Sequence, residues 1–347
     1  MQHKEKEPWV AVTLSWAVPG LGQYYAFRTK KGIIFYLLVE SSLFFAFWCV
    51  ISRNGNTLLG YLLFLVSLIL AFFSLVDAYW TARKQNSATF EGVRQTTKDP
   101  FLAVFLSWLV PGLGMGYFGI WLLGSIFFIA YIVLLSFKEN LFILMAYRVL
   151  KGVAAYKSYP ALKTRPIHFN LLTYLILVLI LSSVLGDVGI YLYEKHYVTY
   201  SFIEGNSMNP TMKDGDITLR DLTRKDQPAR GDIISFRGDW AYDYSIVVKR
   251  LIAFEGESVE IRDGIVYVDG KELEIEPTSH IKYREDSMVV WAREGHPYTV
   301  PKGCVFVLGD NSEKSLDSRF IGSIEKSKIL GVTYKIIWPL ERIRNFN

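Results

Sequence analysis

Ser207 lies in Glu204-Gly-Asn-Ser-Met-Asn-Pro-Thr-Met212, where glycine, asparagine and proline mark a loop. A loop serine becomes a nucleophile only when a base removes its proton. None of the five histidines stands in a suggestive position, but Lys249 falls inside Ile246-Val-Val-Lys-Arg-Leu-Ile252. In an extended strand Val247, Lys249 and Leu251 face one way, so apolar side chains flank the amine. Burial disfavours the ammonium form and lowers a lysine's pKa. A neutral amine there could take the serine proton, as in the serine–lysine variants of the catalytic triad. Taken alone, Lys249 reads first as a surface lysine beside Arg250.

Other chemistries find less support. The chain has two cysteines, Cys49 in an apolar run and Cys304 in a water-soluble stretch, which argues against a disulfide between them. Two cysteines and five histidines without ligand spacing make no zinc site, so neither metal nor cofactor is expected. The net charge is +5 and no basic tract resembles a nucleic-acid-binding arm.

The elements that must position Ser207 and Lys249 read as β. Asp232–Phe236, Ser245–Ile252 and Val259–Val268 are rich in β-branched residues, and Asp263-Gly264 and Asp269-Gly270 are hairpin-turn pairs. No ten-residue amphipathic helix stands out after Tyr200. Before Tyr193 the pattern is different. Half of all residues are hydrophobic (51%), and nearly all long apolar runs fall in that first part.

The first part also contains a duplication. Leu14-Ser-Trp-Ala-Val-Pro-Gly-Leu-Gly22 recurs as Leu106-Ser-Trp-Leu-Val-Pro-Gly-Leu-Gly114, and Gly32 recurs as Gly124, always 92 residues apart. That period is too long for a solenoid and fits duplication of a membrane unit. Ile33–Ile51, Leu58–Val76, Ile120–Phe137 and Leu171–Tyr193 approach the ~20 residues that cross a bilayer, while Leu141–Leu150 is short. The basic stretch Met1–Pro8 before Trp9 resembles a signal peptide, but no small-residue cleavage site follows and the segment reads as uncleaved.

Basic residues set the expected orientation. Arg148, Lys151, Lys157, Lys163 and Arg165 precede Leu171–Tyr193 without an intervening acid, which places 148–168 in the cytoplasm and sends the last helix outward. Arg83, Lys84, Arg94 and Lys98 mark the linker between the repeats as cytoplasmic. Arg28, Lys30 and Lys31 share that side only if Trp9–Phe27 turns back at Pro19-Gly20 as a re-entrant segment, with Phe101–Phe118 doing the same at Pro111-Gly112. Two acids, Glu40 and Asp187, fall inside apolar runs and are assigned packing or interfacial roles.

Four motifs then occur in order: Ser207-Met-Asn-Pro-Thr, Arg230-Gly-Asp-Ile, Val248-Lys-Arg and Gly309-Asp-Asn-Ser-Glu-Lys-Ser-Leu-Asp-Ser-Arg319. Over roughly residues 170–340 the series resembles the boxes of bacterial type I signal peptidases. The resemblance implies Ser207 as nucleophile, Lys249 as general base and Ser315 as the hydroxyl that orients the amine. It implies Asp317 with Arg319 as a supporting salt bridge, Asp310 and Asn311 on the loop that shapes the site, and Met208 near the substrate pocket. Gly-Asp-Asn also reads as a plain turn, and Asp317 with Arg319 as a surface ion pair. Gly205 stands where some members carry an oxyanion-stabilising hydroxyl, which shifts that load onto the Ser207 amide. Ala253-Phe-Glu-Gly-Glu257 replaces a Gly-Leu-Pro-Gly-Asp turn, and the family does not normally carry a duplicated membrane region.

The expected architecture is a multi-pass α-helical membrane region followed by a mostly antiparallel all-β protease domain. Its expected parts are residues 1–98 and 99–168 (the two repeat units with their linkers), 169–195 (an outward anchor helix) and 196–347 (the catalytic domain). The expected partners are signal peptides of exported preproteins, the lipid bilayer and the secretion machinery, with no nucleic acid. The expected location is the plasma (inner) membrane, with the catalytic domain outside. A repressor-type serine–lysine autoprotease would need a soluble chain with a DNA-binding head. A binding or scaffold role for the membrane half stays open.

Overall fold

A computed structural model of the chain describes residues 5–135, 141–159, 169–238, 246–284 and 288–346. His3, Lys4, Phe137, Lys163, Arg165 and Ser245, which enter the expectations above, lie outside those residues. The chain forms two compact units, one of residues 1–48 and 59–192, the other of 49–58 and 193–347.

In the first unit each repeat begins with a broken helix. α1 (Pro8–Ala17) ends at a turn where Gly20 takes φ +89°, and α2 (Leu21–Tyr25) runs back. A Cβ on Gly20 would collide with the Gly32 carbonyl oxygen, and one on Gly22 with that of Ala11. The Ser15 hydroxyl accepts the Gly22 N–H at 3.0 Å. The second copy repeats this with α6 (Pro100–Leu109), Gly112 at φ +96°, α7 (Leu113–Tyr117), and Ser107 accepting from Gly114 at 2.9 Å. A ten-residue helix is about 15 Å long, half the hydrocarbon thickness of a bilayer.

The longer helices are α3 (Thr29–Ile51), α4 (Thr57–Arg83), α8 (Trp121–Leu135), α9 (Leu141–Lys157) and α10 (Phe169–His196), with the short α5 (Ala88–Gln95) in the linker. Among the described residues α3, α4 and α10 are long and apolar enough to cross a membrane. The expected span Ile120–Phe137 is described as a 15-residue helix, and Leu141–Leu150 lengthens to Lys157. Val10 and Leu14 of the first copy pack with Phe101, Val104 and Trp108 of the second and with Leu172, Leu175 and Leu179 of α10.

Each of the helices flanking residues 158–168 carries a half-buried charge that pairs with the other's. Arg148 lies inside α9 and makes a two-pronged bond to Asp187 of α10, at 2.8 and 2.9 Å. The two are therefore level along α9 and α10. A desolvated carboxylate needs a partner, and the guanidinium supplies it. Glu40, in contrast, is exposed on α3.

The second unit is built on two antiparallel sheets. Its strands are β1 (Val198–Phe202), β2 (Ile217–Asp221), β3 (Ile233–Arg237), β4 (Ile246–Phe254), β5 (Ser258–Arg262), β6 (Ile265–Val268), β7 (Lys271–Glu272), β8 (Tyr298–Thr299), β9 (Cys304–Leu308), β10 (Ile324–Glu325), β11 (Ile329–Trp338) and β12 (Arg344–Asn345). The larger sheet runs β1-β2-β11-β3-β4-β9-β10, with β12 on β11; the smaller runs β7-β6-β5-β8. Asp263-Gly264 and Asp269-Gly270 have positive φ throughout, the conformation of a type I′ hairpin turn. The only α-helix described after β1 is α11 (Ser318–Ile321). Ile234, Phe236, Leu251, Val305, Val307 and Val332 form one core, and Ile252, Val259, Ile261, Phe306 and Leu308 another.

This unit includes the turn between α3 and α4. Lys335 of β11, 1% exposed, donates to the carbonyls of Cys49, Val50, Ser52 and Gly55 at 2.9–3.3 Å, and the Tyr334 hydroxyl donates to Ile51 O at 2.6 Å. The first of these carbonyls belong to the last turn of α3, which has no intrahelical donors left for them.

Candidate active site

β4 lies between β3 and β9, with Lys249 opposite Ile234 and Arg250 opposite Leu308. These neighbours make β4 an interior strand, and its residues from Lys249 to Ala253 are buried. Lys249 is 3% exposed, and its Nζ donates to Ser207 Oγ at 2.7 Å and to the Val248 carbonyl at 3.1 Å. Burial pushes the amine down to about 8, against an upward pull from the carboxylates of Asp317 and Asp310. In the deprotonated state the same 2.7 Å contact reverses direction, with the serine hydroxyl donating to the amine lone pair. Ser207 is half-buried at the edge of its loop.

The loop after β9 holds the serine's backbone. The Asn311 N–H donates to Ser207 O at 3.0 Å, and its side-chain amide donates to Asn206 O at 3.0 Å. Gly309 fits between Ser207 and Ser315: a Cβ there would overlap both the Ser315 hydroxyl and the Ser207 carbonyl. Ser315 is buried at this spot, yet its hydroxyl makes no hydrogen bond. The contact expected between Ser315 and the amine is thus not formed in this state, and the Val248 carbonyl is the amine's second partner.

Two ion pairs frame the loop. Asp317 and Arg319 are fully buried and bonded at 2.9 and 3.0 Å, and Asp317 also accepts the Gly309 N–H at 2.9 Å. Arg319 additionally donates to Ser312 Oγ and O, at 3.0 and 2.9 Å. The second pair escaped the sequence reading. Arg250 grips Asp310 at 2.8 and 2.6 Å and donates to Gly231 O at 2.7 Å. The three residues lie in three of the four motifs, and that co-occurrence was the available signal.

Gly205 takes φ +85° and its N–H donates to Asp214 at 2.8 Å. The Ser207 N–H is bonded to no protein acceptor among the described residues, which leaves it available to a developing oxyanion. Met208 is 2% exposed and packs with Ile203, Met212, Ile233 and Ile336, which supports the serine loop from the core. Cys49 and Cys304 are unpaired, and the described residues contain no His/Cys/Asp/Glu group able to hold a metal.

The arrangement is that of a serine hydroxyl beside a buried amine. The family profile described as signal peptidase, peptidase S26, matches residues 171–338. Signal peptidase I of Bacillus licheniformis is 34% identical over 147 residues, covering 41% of this chain and 77% of the relative. Signal peptidase IB of Staphylococcus aureus (strain COL) is 31% identical over 181 residues, covering 48% and 93%. A crystal structure of a signal peptidase I from Enterococcus faecalis V583 is 31% identical, covering 30% of this chain and 96% of that one, with a TM-score of 0.24.

Proposed function

The chain belongs to the bacterial signal peptidase I family, and from that premise we propose that Ser207 and Lys249 are its catalytic dyad. The protein is a membrane-anchored serine endopeptidase that removes signal peptides from preproteins. One observation carries the residue assignment: the Lys249 amine is 3% exposed and sits 2.7 Å from Ser207 Oγ.

In this reading neutral Lys249 takes the Ser207 proton as Oγ attacks the scissile carbonyl. The Ser207 N–H faces the resulting oxyanion. The ammonium then protonates the leaving amine, the C–N bond breaks, and the signal peptide stays on Ser207 as an ester. Lys249, neutral again, deprotonates a water that attacks the ester and frees the serine. Asn311 and the Arg250–Asp310 pair position the loop, and Asp317–Arg319 holds it from beneath.

The membrane half anchors this site through several passes of the plasma membrane, with the catalytic unit on the outer face and within reach of the secretion machinery. The 49–58 turn supports that topology, because it belongs to the same compact unit as the catalytic strands. From it α3 and α4, 23 and 27 residues long, carry the chain about 35–40 Å to Thr29 and Arg83 on the other side. Residues 28–31 and 83–98 are then cytoplasmic. Complementation of a signal-peptidase-depleted bacterium tests the whole reading: the parent gene restores growth and preprotein processing, and Ser207→Ala does not. Rescue by Ser207→Ala would refute the dyad. Cysteine labelling that found Asn54 inside would refute the topology alone.

A further inference from the structure

A cavity of about 630 Å³ opens where α3 begins and α4 ends, the end of the hairpin opposite the 49–58 turn. Arg28, Lys30, Lys31 and Lys84 line it, against a single acid, Asp77. That acid is already engaged: Lys31 Nζ lies 2.5 Å from it, and Gln23 and Thr81 donate to it at 3.1 and 3.3 Å. Three cations therefore converge on one cavity without a neutralising carboxylate among the described residues. A lining of one sign favours an anionic ligand.

The duplication shows that the fold does not demand these charges. At the shared 92-residue spacing the second copy carries Ile120, Leu122 and Leu123 in place of Arg28, Lys30 and Lys31, and Met115 in place of Gln23. The close approaches are nevertheless the same, Gly20 to the Gly32 carbonyl and Gly112 to the Gly124 carbonyl. Phe27, on the cavity wall, takes φ +57° where the second copy has Gly119 at φ +86°. A bulky residue in the left-handed region is strained, and such strain is retained where the side chain is needed. Phe27 is 65% exposed, on the rim.

A smaller apolar cavity of about 180 Å³, lined by Val18, Leu21, Ile33 and Tyr36, shares Thr29 with the basic one. Beyond both, α3 and α4 present exposed apolar residues such as Ile34 and Phe73. A basic cavity adjoining an apolar one matches an amphiphile with an anionic head. We propose that this cavity binds the phosphate of an anionic phospholipid headgroup on the cytoplasmic face, with the acyl chains along α3 and α4. The proposal rests on the membrane topology above, and not on the dyad.

The test uses the full chain purified in detergent, with lipid retention read by native mass spectrometry and melting followed with added lipid. The parent should retain phosphatidylglycerol over phosphatidylcholine and melt higher with the former. Arg28→Ile with Lys30→Leu, the residues of the second copy, should retain about tenfold less phosphatidylglycerol, since each basic residue at a membrane surface contributes a several-fold factor. Lys84→Leu should weaken retention in the same direction from the other helix. Lys157→Leu, a charge removed from the end of α9, should not. Unchanged preprotein processing by each variant establishes that it is folded. Equal retention by parent and double variant, or equal retention of the two lipids, would overturn the proposal. So would a loss for Lys157→Leu matching that of the double variant. Inorganic phosphate raising the melting point as far as phosphatidylglycerol does would overturn the lipid assignment in favour of a free anion.

Discussion

Two lysines on the larger sheet are almost equally buried, Lys249 on β4 at 3% and Lys335 on β11 at 1%. Burial lowers the pKa of both amines. Their partners differ. Lys335 faces four backbone carbonyls, which can only accept, so the amine stays useful as an ammonium with its three N–H groups filled. Lys249 faces one carbonyl and one hydroxyl, and a hydroxyl can both accept from an ammonium and donate to an amine. Desolvation makes an amine easier to deprotonate; the partner decides whether deprotonation leads anywhere. One lysine fastens a turn, and the other can run acid–base chemistry.

The largest expected effect separates the two directly. Lys249→Arg should reduce kcat/KM by about 10³-fold or more, because a guanidinium stays protonated and removing one member of a catalytic unit disables the rest. Lys335→Arg should leave processing near the parent's. Activity in Lys249→Arg within tenfold of the parent, measured on a purified preprotein, would erase the distinction.

Next in size is the structural lysine. Lys335→Met strips the donors from four carbonyls and should lower unfolding stability by roughly 3 kcal/mol, read from denaturant melts. The folded fraction should still cleave with kcat close to the parent's. A parent-like melt would mean that water replaces the ammonium without penalty.

Ser315→Ala sharpens the Lys249 side. Once Ser207 is acylated the amine loses its hydroxyl partner, and the proposed role of the buried, unbonded Ser315 hydroxyl is to replace it. Turnover should fall roughly ten- to a hundredfold with KM little changed, the size expected for one lost catalytic hydrogen bond. A loss confined to KM would remove Ser315 from the chemistry.

The smallest effect is a displacement along the pH axis. Activity should rise with pH through a midpoint near 8, where half of Lys249 is neutral, and then level off. Asp317 pulls the amine's pKa upward, so Asp317→Asn should move that midpoint to lower pH as well as weaken the grip on Arg319. Stability follows the same group with a definite sign. The folded pKa near 8 lies below the ordinary 10.5, so between those values the unfolded chain binds more protons and folding stability rises with pH. Lys249→Met should abolish this rise, whereas a midpoint unmoved in Asp317→Asn would show that the carboxylate does not act on the amine.

Features set by near neighbours in the chain were legible before the fold. β-branched runs around Lys249 and paired Asp-Gly turns locate β3 to β6 to within a residue or two, because side-chain alternation and φ preference are local properties. The duplicated Pro-Gly turn located both helix breaks for the same reason. The pairing of Arg148 with Asp187 was not legible, because hydropathy registers a charge inside an apolar helix and not its partner on another helix.

The sequence alone determined that this is a membrane chain with a β-rich serine–lysine module, since ordered motifs and apolar run lengths are one-dimensional quantities. Tertiary structure decided which charge meets which. Arg250 and Asp310 are 60 residues apart, Ser207 and Lys249 are 42 apart, and Lys335 finds a turn about 285 residues earlier. Electrostatic partnership depends on distance and local dielectric after folding, and neither is written in the order of the residues. For that reason two lysines that look alike in the sequence meet different partners, one a serine hydroxyl and the other a turn of carbonyls.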